Sequence, residues 1–183
     1  MSEPLHNIVQ LARNNDESAW DQLFRAYQLR IFAYAKNLTG DREAAFDIVQ
    51  ESFIRAIANV GDLRDDSRFG SWLFGIAHQR CMLHFRRTKR EVALFGDEDH
   101  GRDGEADWPD PREALLQEER AEALYALVDN LPLQQRSALL LHVLGEFSLE
   151  DVAAIVDVPV GTVKSRLHHA KRALRSLIEE AKP

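Results

Sequence analysis

Three potential metal ligands lie close together in the first half of the sequence. His78, Cys81 and His84 follow one another at intervals of three residues. A zinc site on one helix would need these side chains on one face and a fourth ligand nearby, but His84 lies well round the helix and no fourth ligand is evident. We therefore predict no metal site and interpret Cys81 as a buried helix residue rather than a redox sensor.

No other group of residues forms a catalytic pattern. The sequence contains no glycine-rich phosphate loop and no plausible catalytic triad. Its one cysteine cannot form a disulfide within the chain. These observations predict a protein that is not an enzyme by itself, with no catalytic residues, no cofactor and no small-molecule substrate.

Nucleic-acid binding is the chemistry that the last third of the chain favours. Between Asp157 and Arg175 there are five Lys and Arg residues against one acidic residue, in a chain of net charge −7. Long cations contact phosphates, and shorter polar side chains and histidines can reach base edges. A solvated basic face on an amphipathic helix is the alternative. The candidate DNA-binding residues are Thr162, Lys164, Ser165, Arg166, His168, His169 and Arg172.

The segment LEDVAAIVDVPVGTVKSRLHH, residues 149–169, has the spacing of a helix-turn-helix. Ala153 is small at the point where the two helices would cross. Asp157 falls at the turn, where it tolerates a left-handed backbone better than most residues do. Thr162 lies near the start of the second helix, where backbone amides can hold a phosphate. The predicted packing face consists of Val152, Ile155, Val163 and Leu167.

The elements that position these residues are all predicted to be helices, because apolar residues recur at intervals of three and four throughout the chain. One helix begins after Asp16 and ends at Gly40, a second is capped by Asp41, and a third begins near Trp72 after a polar loop. Further helices follow Pro132 and Ser148, and the final one runs from about Gly161. The predicted fold is all-α.

The acidic residues are concentrated in one segment. Residues 1–95 carry 13 Lys and Arg against 12 Asp and Glu, residues 96–120 carry 3 against 10, and residues 121–183 carry 7 against 8. Residues 96–110 are rich in Gly and Asp and show no period, which is typical of a linker. We predict a helical domain over 1–95, a flexible acidic linker over 96–110 and a helix-turn-helix domain over 111–183.

Both halves resemble a known family. AFDIVQESFIRAI (45–57) and WLFGIAHQRCMLHFRRTKR (72–90) resemble region 2 of the extracytoplasmic-function (ECF) sigma factors of the sigma-70 family. LPLQQRSALLLHVLGEFSLEDVAAIVDVPVGTVKSRLHHAKRAL (131–174) resembles their region 4. The resemblance implies an alternative sigma factor that binds core RNA polymerase and promoter DNA, with the last domain on the −35 element.

The resemblance also implies roles within region 2. The polymerase-binding helix would carry Asp47, Gln50, Glu51, Phe53 and Ile54. The loop 63–70 and the following helix would handle the −10 element, where an unpaired base enters a pocket and single strands meet aromatic rings and cations. For Trp72 taken alone, a core position is the alternative. The expected −10 residues are Trp72, His78, Gln79, Arg80, Arg86 and Arg87.

The sequence departs from the family pattern before this helix. Many members carry Asp-Ala-Glu-Asp where this chain has Ala44, Ala45, Phe46 and Asp47, so two acidic positions common in the family are occupied by Ala44 and Phe46. Some relatives that lack these acids gain negative charge by phosphorylation, which makes Ser52 a possible phosphorylation site.

Partners and location follow from the same resemblance. An anti-sigma protein would cover the polymerase-binding surfaces. The acidic linker would either be a solvated spacer or extend toward the RNA path of polymerase. Since the N-terminus lacks signal-peptide features and no run is long enough to span a membrane, we expect a cytoplasmic protein without membrane insertion, held at the membrane where its anti-sigma protein is anchored there. A helix-turn-helix regulator and a sigma-like decoy for an anti-sigma protein are the alternatives.

Overall fold

The computed structural model describes residues 2–95 and 126–180, and every regular element in these two ranges is helical. The predicted all-α fold is therefore confirmed. The predicted acidic linker over 96–110 lies outside the described residues. The domain boundaries at 95 and 111 accordingly remain predictions.

Four helices form the first described range. Two short 3-10 turns, Val60–Asp62 and Asp66–Arg68, separate the third helix from the fourth. The predicted polar loop before Trp72 thus has a defined shape, and the helix after it begins slightly earlier than expected. The helices are α1 (Ser2–Arg13), α2 (Glu17–Thr39), α3 (Arg42–Asn59) and α4 (Phe69–Phe95).

Local capping sets the ends of α2 and α3. The Asp16 carboxylate accepts a hydrogen bond from the Ala19 amide at 2.8 Å, and the Asp41 carboxylate accepts one from the Ala44 amide at 3.0 Å. Gly40 ends α2 in a left-handed conformation with φ 74°, which favours glycine. Each acidic cap contributes about 1 kcal/mol. The predicted positions of these caps are confirmed.

The core of this half is aromatic and aliphatic. Tyr34, Phe69, Leu73 and Phe74 are among the largest fully buried side chains. The Tyr27 and Phe69 rings meet edge to face, with centroids 5.6 Å apart. Rings at such distances add about 0.5–1.5 kcal/mol beyond their buried area. This packing fixes α4, which carries most of the predicted −10 residues, against α2.

The second described range is also helical. Residues 126–129 form a helical turn, followed by α5 (Leu133–Val143), α6 (Leu149–Val156) and α7 (Val160–Glu180). Leu141, Val152 and Val163 are fully buried where these three helices meet.

The two halves contact each other through α2, α4 and the turn between α5 and α6. The Phe74 and Phe147 rings meet edge to face at 4.8 Å, and the Arg30 guanidinium lies 6.0 Å from each ring centroid. Arg30 also donates to the Gly145 carbonyl. Arg136 reaches the Leu38 carbonyl at 3.3 Å. The helix-turn-helix half is thus held close to the region that was predicted to handle the −10 element.

Helix α1 was not predicted from the sequence. Val9 and Ala12 of α1 are fully buried. The indole N–H of Trp20 donates to the Ala12 carbonyl at 3.0 Å. The spacing of Leu5, Ile8 and Ala12 is the helical signal that could have revealed it.

Candidate nucleic-acid interface

The helix-turn-helix adopts the predicted geometry. Ser148 caps α6 by accepting a hydrogen bond from the Asp151 amide at 3.1 Å. Asp157 ends α6 in the left-handed region, with φ 53° and ψ 56°. The side chains predicted to pack the two helices together are all buried: Val152, Ala153, Ile155, Val163 and Leu167. The packing face and the turn are therefore confirmed.

The conformation of Asp157 leads to a stability prediction. A β-branched residue in this left-handed conformation costs about 1–2 kcal/mol, whereas glycine adopts it freely. We expect Asp157→Val to lower the free energy of unfolding by about that amount, and Asp157→Gly to leave it nearly unchanged. Chemical denaturation followed by circular dichroism measures both. Equal stability of the valine and glycine variants would contradict the assigned turn.

The outer face of α7 brings most of the predicted DNA-binding residues together. Thr162 is half-buried near the start of the helix. Arg166 differs from the others because its side chain turns toward α5 and donates to the Gln134 side-chain oxygen at 3.0 Å. The exposed members of the predicted set are Lys164, Ser165, His168, His169 and Arg172, with Lys171 and Arg175 beside them.

A cleft of about 730 Å³ contains two of the predicted −10 residues. Trp72 is half-buried, with its ring 5.8 Å from that of Phe69, and Gln79 is exposed. The opposite side of the cleft is formed by Ala154, Ile155 and Asp157 of the helix-turn-helix half. The segment between α3 and α4 forms another wall, through Asp62, Leu63, Arg64, Asp65 and Arg68.

The other predicted −10 residues divide into two groups. Arg86 and Arg87 are exposed on α4. His78 is buried, and its Nδ1 lies 2.7 Å from the Tyr34 hydroxyl. The Arg80 side chain is 11% exposed, forms an ion pair with Glu51, and has a buried Nε without a hydrogen-bond partner among the described residues. In this conformation His78 and Arg80 serve the packing of α4 rather than its outer surface.

The burial of His78 predicts sensitivity to acid. Burial lowers the pKa of His78 from its usual 6.5 to about 4, with a smaller contribution from Arg166. Above pH 6.5 the imidazole is neutral in both folded and unfolded chains. As the pH falls from 6.5 to about 4, the unfolded chain takes up a proton that the folded chain does not, so stability decreases by up to about 3 kcal/mol.

We expect His78→Gln to reduce this loss of stability between pH 7 and 4, because glutamine does not titrate there. Urea denaturation at each pH measures the difference between the two chains. The exposed His168 provides a matched control, because His168→Gln removes a histidine from the surface and leaves the buried side chains unchanged. A pH dependence unchanged in the His78 variant would contradict this account of its burial.

Only some of the residues predicted to bind polymerase are exposed on α3. Asp47 and Gln50 are exposed, and Ile54 is 66% exposed. Phe53 is buried, with its ring 4.9 Å from that of Phe24 in an edge-to-face contact. Glu51 is engaged with Arg80. Asp47, Gln50 and Ile54 are therefore exposed, and the Glu51 side chain stays 44% exposed beside its ion pair.

Ser52 lies on the inner side of α3. Its side chain is fully buried, and its hydroxyl donates to the Ile48 carbonyl at 2.6 Å. Phosphorylation of this hydroxyl would require local opening of α3.

Sequence reasoning did not single out Phe46 and Ile57, which extend the exposed apolar surface of α3. Phe46 is half exposed, its ring lies 4.6 Å from that of Phe32, and the Arg42 guanidinium lies 5.6 Å from its centroid. The spacing of Phe46, Gln50, Ile54 and Ile57 along one helix face is the signal that could have revealed them.

Cys81 is fully buried, as predicted. Burial raises the pKa of its thiol to about 12, so the thiolate that metal binding or oxidation requires is disfavoured. In residues 2–95 and 126–180 no cluster of His, Cys, Asp or Glu has the geometry to hold a metal ion. Nor does any helix in the described part of the chain have the length and hydrophobicity needed to cross a membrane.

Comparison with known proteins agrees with this geometry. Residues 23–91 match the model of Sigma-70 region 2, and residues 121–174 match the model of Sigma-70, region 4. The chain is 33% identical to the RNA polymerase sigma-H factor of Pseudomonas aeruginosa, over 95% of both chains. It is 35% identical to the ECF RNA polymerase sigma factor EcfG of Rhodopseudomonas palustris, over 80% of this chain and 77% of that one.

A solved structure has the same arrangement of helices. The sigma factor RpoE of Bartonella quintana, crystallised in complex with the anti-sigma factor NepR, superimposes with a TM-score of 0.69 at 27% identity, covering 88% of this chain and 98% of that one. With regions 2 and 4 both matched and a helix-turn-helix of the expected geometry, the chain belongs to the sigma-70 family, in its ECF group, and is an alternative sigma factor.

Proposed function

We propose that this chain binds core RNA polymerase through α3 and directs it to promoters by using two separate DNA-binding surfaces. The observation that carries the proposal is the exposed row of cations, hydroxyls and imidazoles on α7. This helix follows the left-handed turn at Asp157 that ends α6. The chain has the role of a specificity subunit, with no catalytic step of its own.

Helix α7 reads the −35 element as double-stranded DNA. An α-helix fits the major groove, where the donor and acceptor pattern of each base pair is distinct. Lys164 and Arg172 provide charge for phosphates and guanine edges, and Thr162 provides a hydroxyl near the helix N-terminus. Arg166 orients α7 against α5 through Gln134, so its contribution to DNA binding is smaller than that of its neighbours.

The cleft beside Trp72 and Gln79 takes an unpaired base of the −10 element. Enzymes and initiation factors that act on a base must take it out of the stack, and aromatic rings with nearby cations hold the resulting single strand. Arg86 and Arg87 lie about two turns beyond Gln79 on α4, where they can contact phosphates of the same strand. His78 and Arg80 act indirectly, by holding α4 in place.

Polymerase docks on the exposed face of α3. This face combines the carboxylate of Asp47 with the apolar side chains of Phe46, Ile54 and Ile57. Such a mixture of a buried apolar centre with a polar margin is typical of protein interfaces. Relative to the set predicted from the sequence, this proposal adds Phe46 and Ile57 and omits Phe53, which is buried.

An anti-sigma protein controls this sigma factor by covering the same surfaces. The support is the similarity to RpoE of Bartonella quintana, which was crystallised with its anti-sigma factor. The protein would then act in the cytoplasm, or be held at the membrane where that partner is anchored. We retain residues 1–95 and 111–183 as the two functional domains, joined by the acidic segment 96–110.

Reconstitution with core RNA polymerase tests the proposal. The purified chain is mixed with core enzyme and separated by size-exclusion chromatography, and the complex is then assayed on duplex DNA. We expect co-elution and sequence-specific DNA binding that core enzyme alone lacks. DNA binding by the free chain without any association with polymerase would favour a helix-turn-helix regulator instead.

A further inference from the structure

Three side chains of α1 contact the same buried carboxylate, which lies in the segment that precedes α4. Asp66 is 5% exposed and lies in the second 3-10 turn. Its Oδ1 accepts from the Nη2 and Nε of Arg13, at 2.6 and 3.2 Å. Its Oδ2 accepts from the Gln10 side-chain amide and lies 3.1 Å from the His6 Nδ1. All of these partners belong to α1.

The charge on Asp66 is retained despite burial. Burial by itself would raise the pKa of this carboxyl, but the hydrogen bonds from Arg13 and Gln10 outweigh it and hold the pKa below its usual value. Hydrogen bonds between a guanidinium and an ionised carboxylate are roughly twice as strong as those between neutral groups.

Arg13 also holds the backbone of the same segment. Its Nη2 donates to the Leu63 carbonyl, and its Nη1 donates to the Gly61 carbonyl at 3.4 Å. One guanidinium thus connects the first 3-10 turn, the residue after it and the second 3-10 turn. Since the segment between α3 and α4 has no strand or long helix of its own, these contacts fix the path of residues 61–66.

The segment held by Arg13 is a wall of the cleft described above. Leu63, Arg64 and Asp65 line the cleft together with Trp72 and Gln79. Asp65 closes the turn locally, by accepting hydrogen bonds from the Ser67 amide at 3.0 Å and the Ser67 hydroxyl at 2.6 Å. A shift of residues 61–66 would therefore change the shape of the cleft without touching α7.

We propose that α1 is a positioning element for promoter melting, in which Arg13 and Asp66 hold residues 61–66 in the shape that lets the cleft capture an unpaired −10 base. This inference rests on the proposed −10 function of the cleft. It assigns a role to a helix that lies outside residues 23–91, the segment that matches Sigma-70 region 2. Arg13 and Asp66 are positioning residues here, because they act through the segment rather than on the DNA.

The test uses holoenzyme reconstituted with core RNA polymerase and two fluorescent probes from a promoter that the wild-type holoenzyme transcribes. One probe is the single-stranded non-template −10 segment, and the other is the duplex −35 segment. We expect Arg13→Ala to weaken capture of the −10 strand at least about tenfold, since it removes the guanidinium that pairs with a buried carboxylate and holds the Gly61 and Leu63 carbonyls. Binding of the −35 duplex should stay within about twofold of wild type, because Arg13 contacts no part of α7.

Two further variants separate positioning from general destabilisation. Arg13→Lys keeps the positive charge and the helix propensity but cannot reach Asp66 and both carbonyls at once, so an intermediate loss of −10 capture is expected. Arg25→Ala is the matched control, because it removes an exposed arginine of α2 that pairs with Asp21 on the surface. We expect Arg25→Ala to behave as wild type in both assays.

Each outcome has a distinct meaning. If wild-type holoenzyme does not prefer the −10 strand to a scrambled strand, the proposed −10 function fails and the inference falls with it. If wild type shows the preference and Arg13→Ala and Arg13→Lys retain it fully, the inference alone is overturned. Equal losses on the −10 and −35 probes would mean that Arg13 is merely structural, and this too would overturn it.

Discussion

Replacing Lys164 and Arg172 with alanine is expected to weaken binding of the holoenzyme to duplex −35 DNA by about thirtyfold or more, since each of the two lost contacts is worth roughly 1–3 kcal/mol. Both side chains are exposed on the outer face of α7. Each phosphate contact that is lost also removes about one unit from the slope of log affinity against log salt concentration. Fluorescence anisotropy over a range of salt concentrations measures both effects.

The matched control for this variant removes the same charge from another helix. Arg25 and Lys36 are exposed on α2. We expect the double alanine variant at these two positions to keep the wild-type affinity and salt slope on the −35 duplex. If the α7 variant and the α2 variant had equal salt slopes, α7 would not be the recognition helix.

Replacing Asp47 and Ile54 with alanine is expected to weaken binding to core RNA polymerase by roughly thirtyfold or more, because a central interface residue is typically worth at least 2 kcal/mol. Asp47 is exposed, and Ile54 is 66% exposed. Removing them leaves the interior of region 2 intact. Titration of labelled chain with core enzyme measures the affinity, and thermal unfolding of the free chain verifies that the fold is unchanged.

Glu51 is not replaced in this variant because its side chain contributes to the packing of α3 against α4. It forms the ion pair with Arg80, whose side chain is almost buried. Replacing Glu51 would leave that guanidinium without its partner and destabilise α4 against α3, so a loss of polymerase binding could not be ascribed to the surface.

The control for the polymerase variant lies on α2. Asp21 is exposed and Leu29 is 65% exposed, so Asp21→Ala with Leu29→Ala removes one acid and one apolar side chain from another surface. We expect this control to bind core enzyme as wild type does. Undiminished binding by the Asp47 and Ile54 variant would exclude α3 as the docking helix.

Features determined by a few adjacent residues were predictable from the sequence. The caps at Asp16, Asp41 and Ser148 act over three residues, and the structure confirms each of them. Likewise the left-handed turn at Asp157 and the buried face of the helix-turn-helix depend on spacing along two consecutive helices. Local chemistry sets these features, so pattern alone identifies them.

Features that depend on contacts between distant residues were not predictable in the same way. Glu51 and Arg80 were assigned to different partners, because nothing in the sequence shows that α3 and α4 bring them together. His78 and Ser52 have polar side chains, yet both find partners in the interior, the Tyr34 hydroxyl and the Ile48 carbonyl. A polar residue on a helix is expected outside unless its buried partner is known.

The contact between the two halves belongs to the same class. Arg30 lies in α2 and Phe147 in the turn before α6, so their meeting over Phe74 depends on the tertiary arrangement. This contact holds the turn before α6 against α2 and α4.

Transcription from a library of genomic promoter fragments, with core RNA polymerase and the purified chain, tests the central claim most directly. Sequencing of the transcript 5′ ends gives the start sites. The account predicts a defined set of start sites that core enzyme alone does not use, with shared sequences near −35 and −10, and loss of that set with the Lys164 and Arg172 variant. Stable association with polymerase without a defined set of start sites would contradict the account. A set of start sites that the Lys164 and Arg172 variant leaves unchanged would also contradict it.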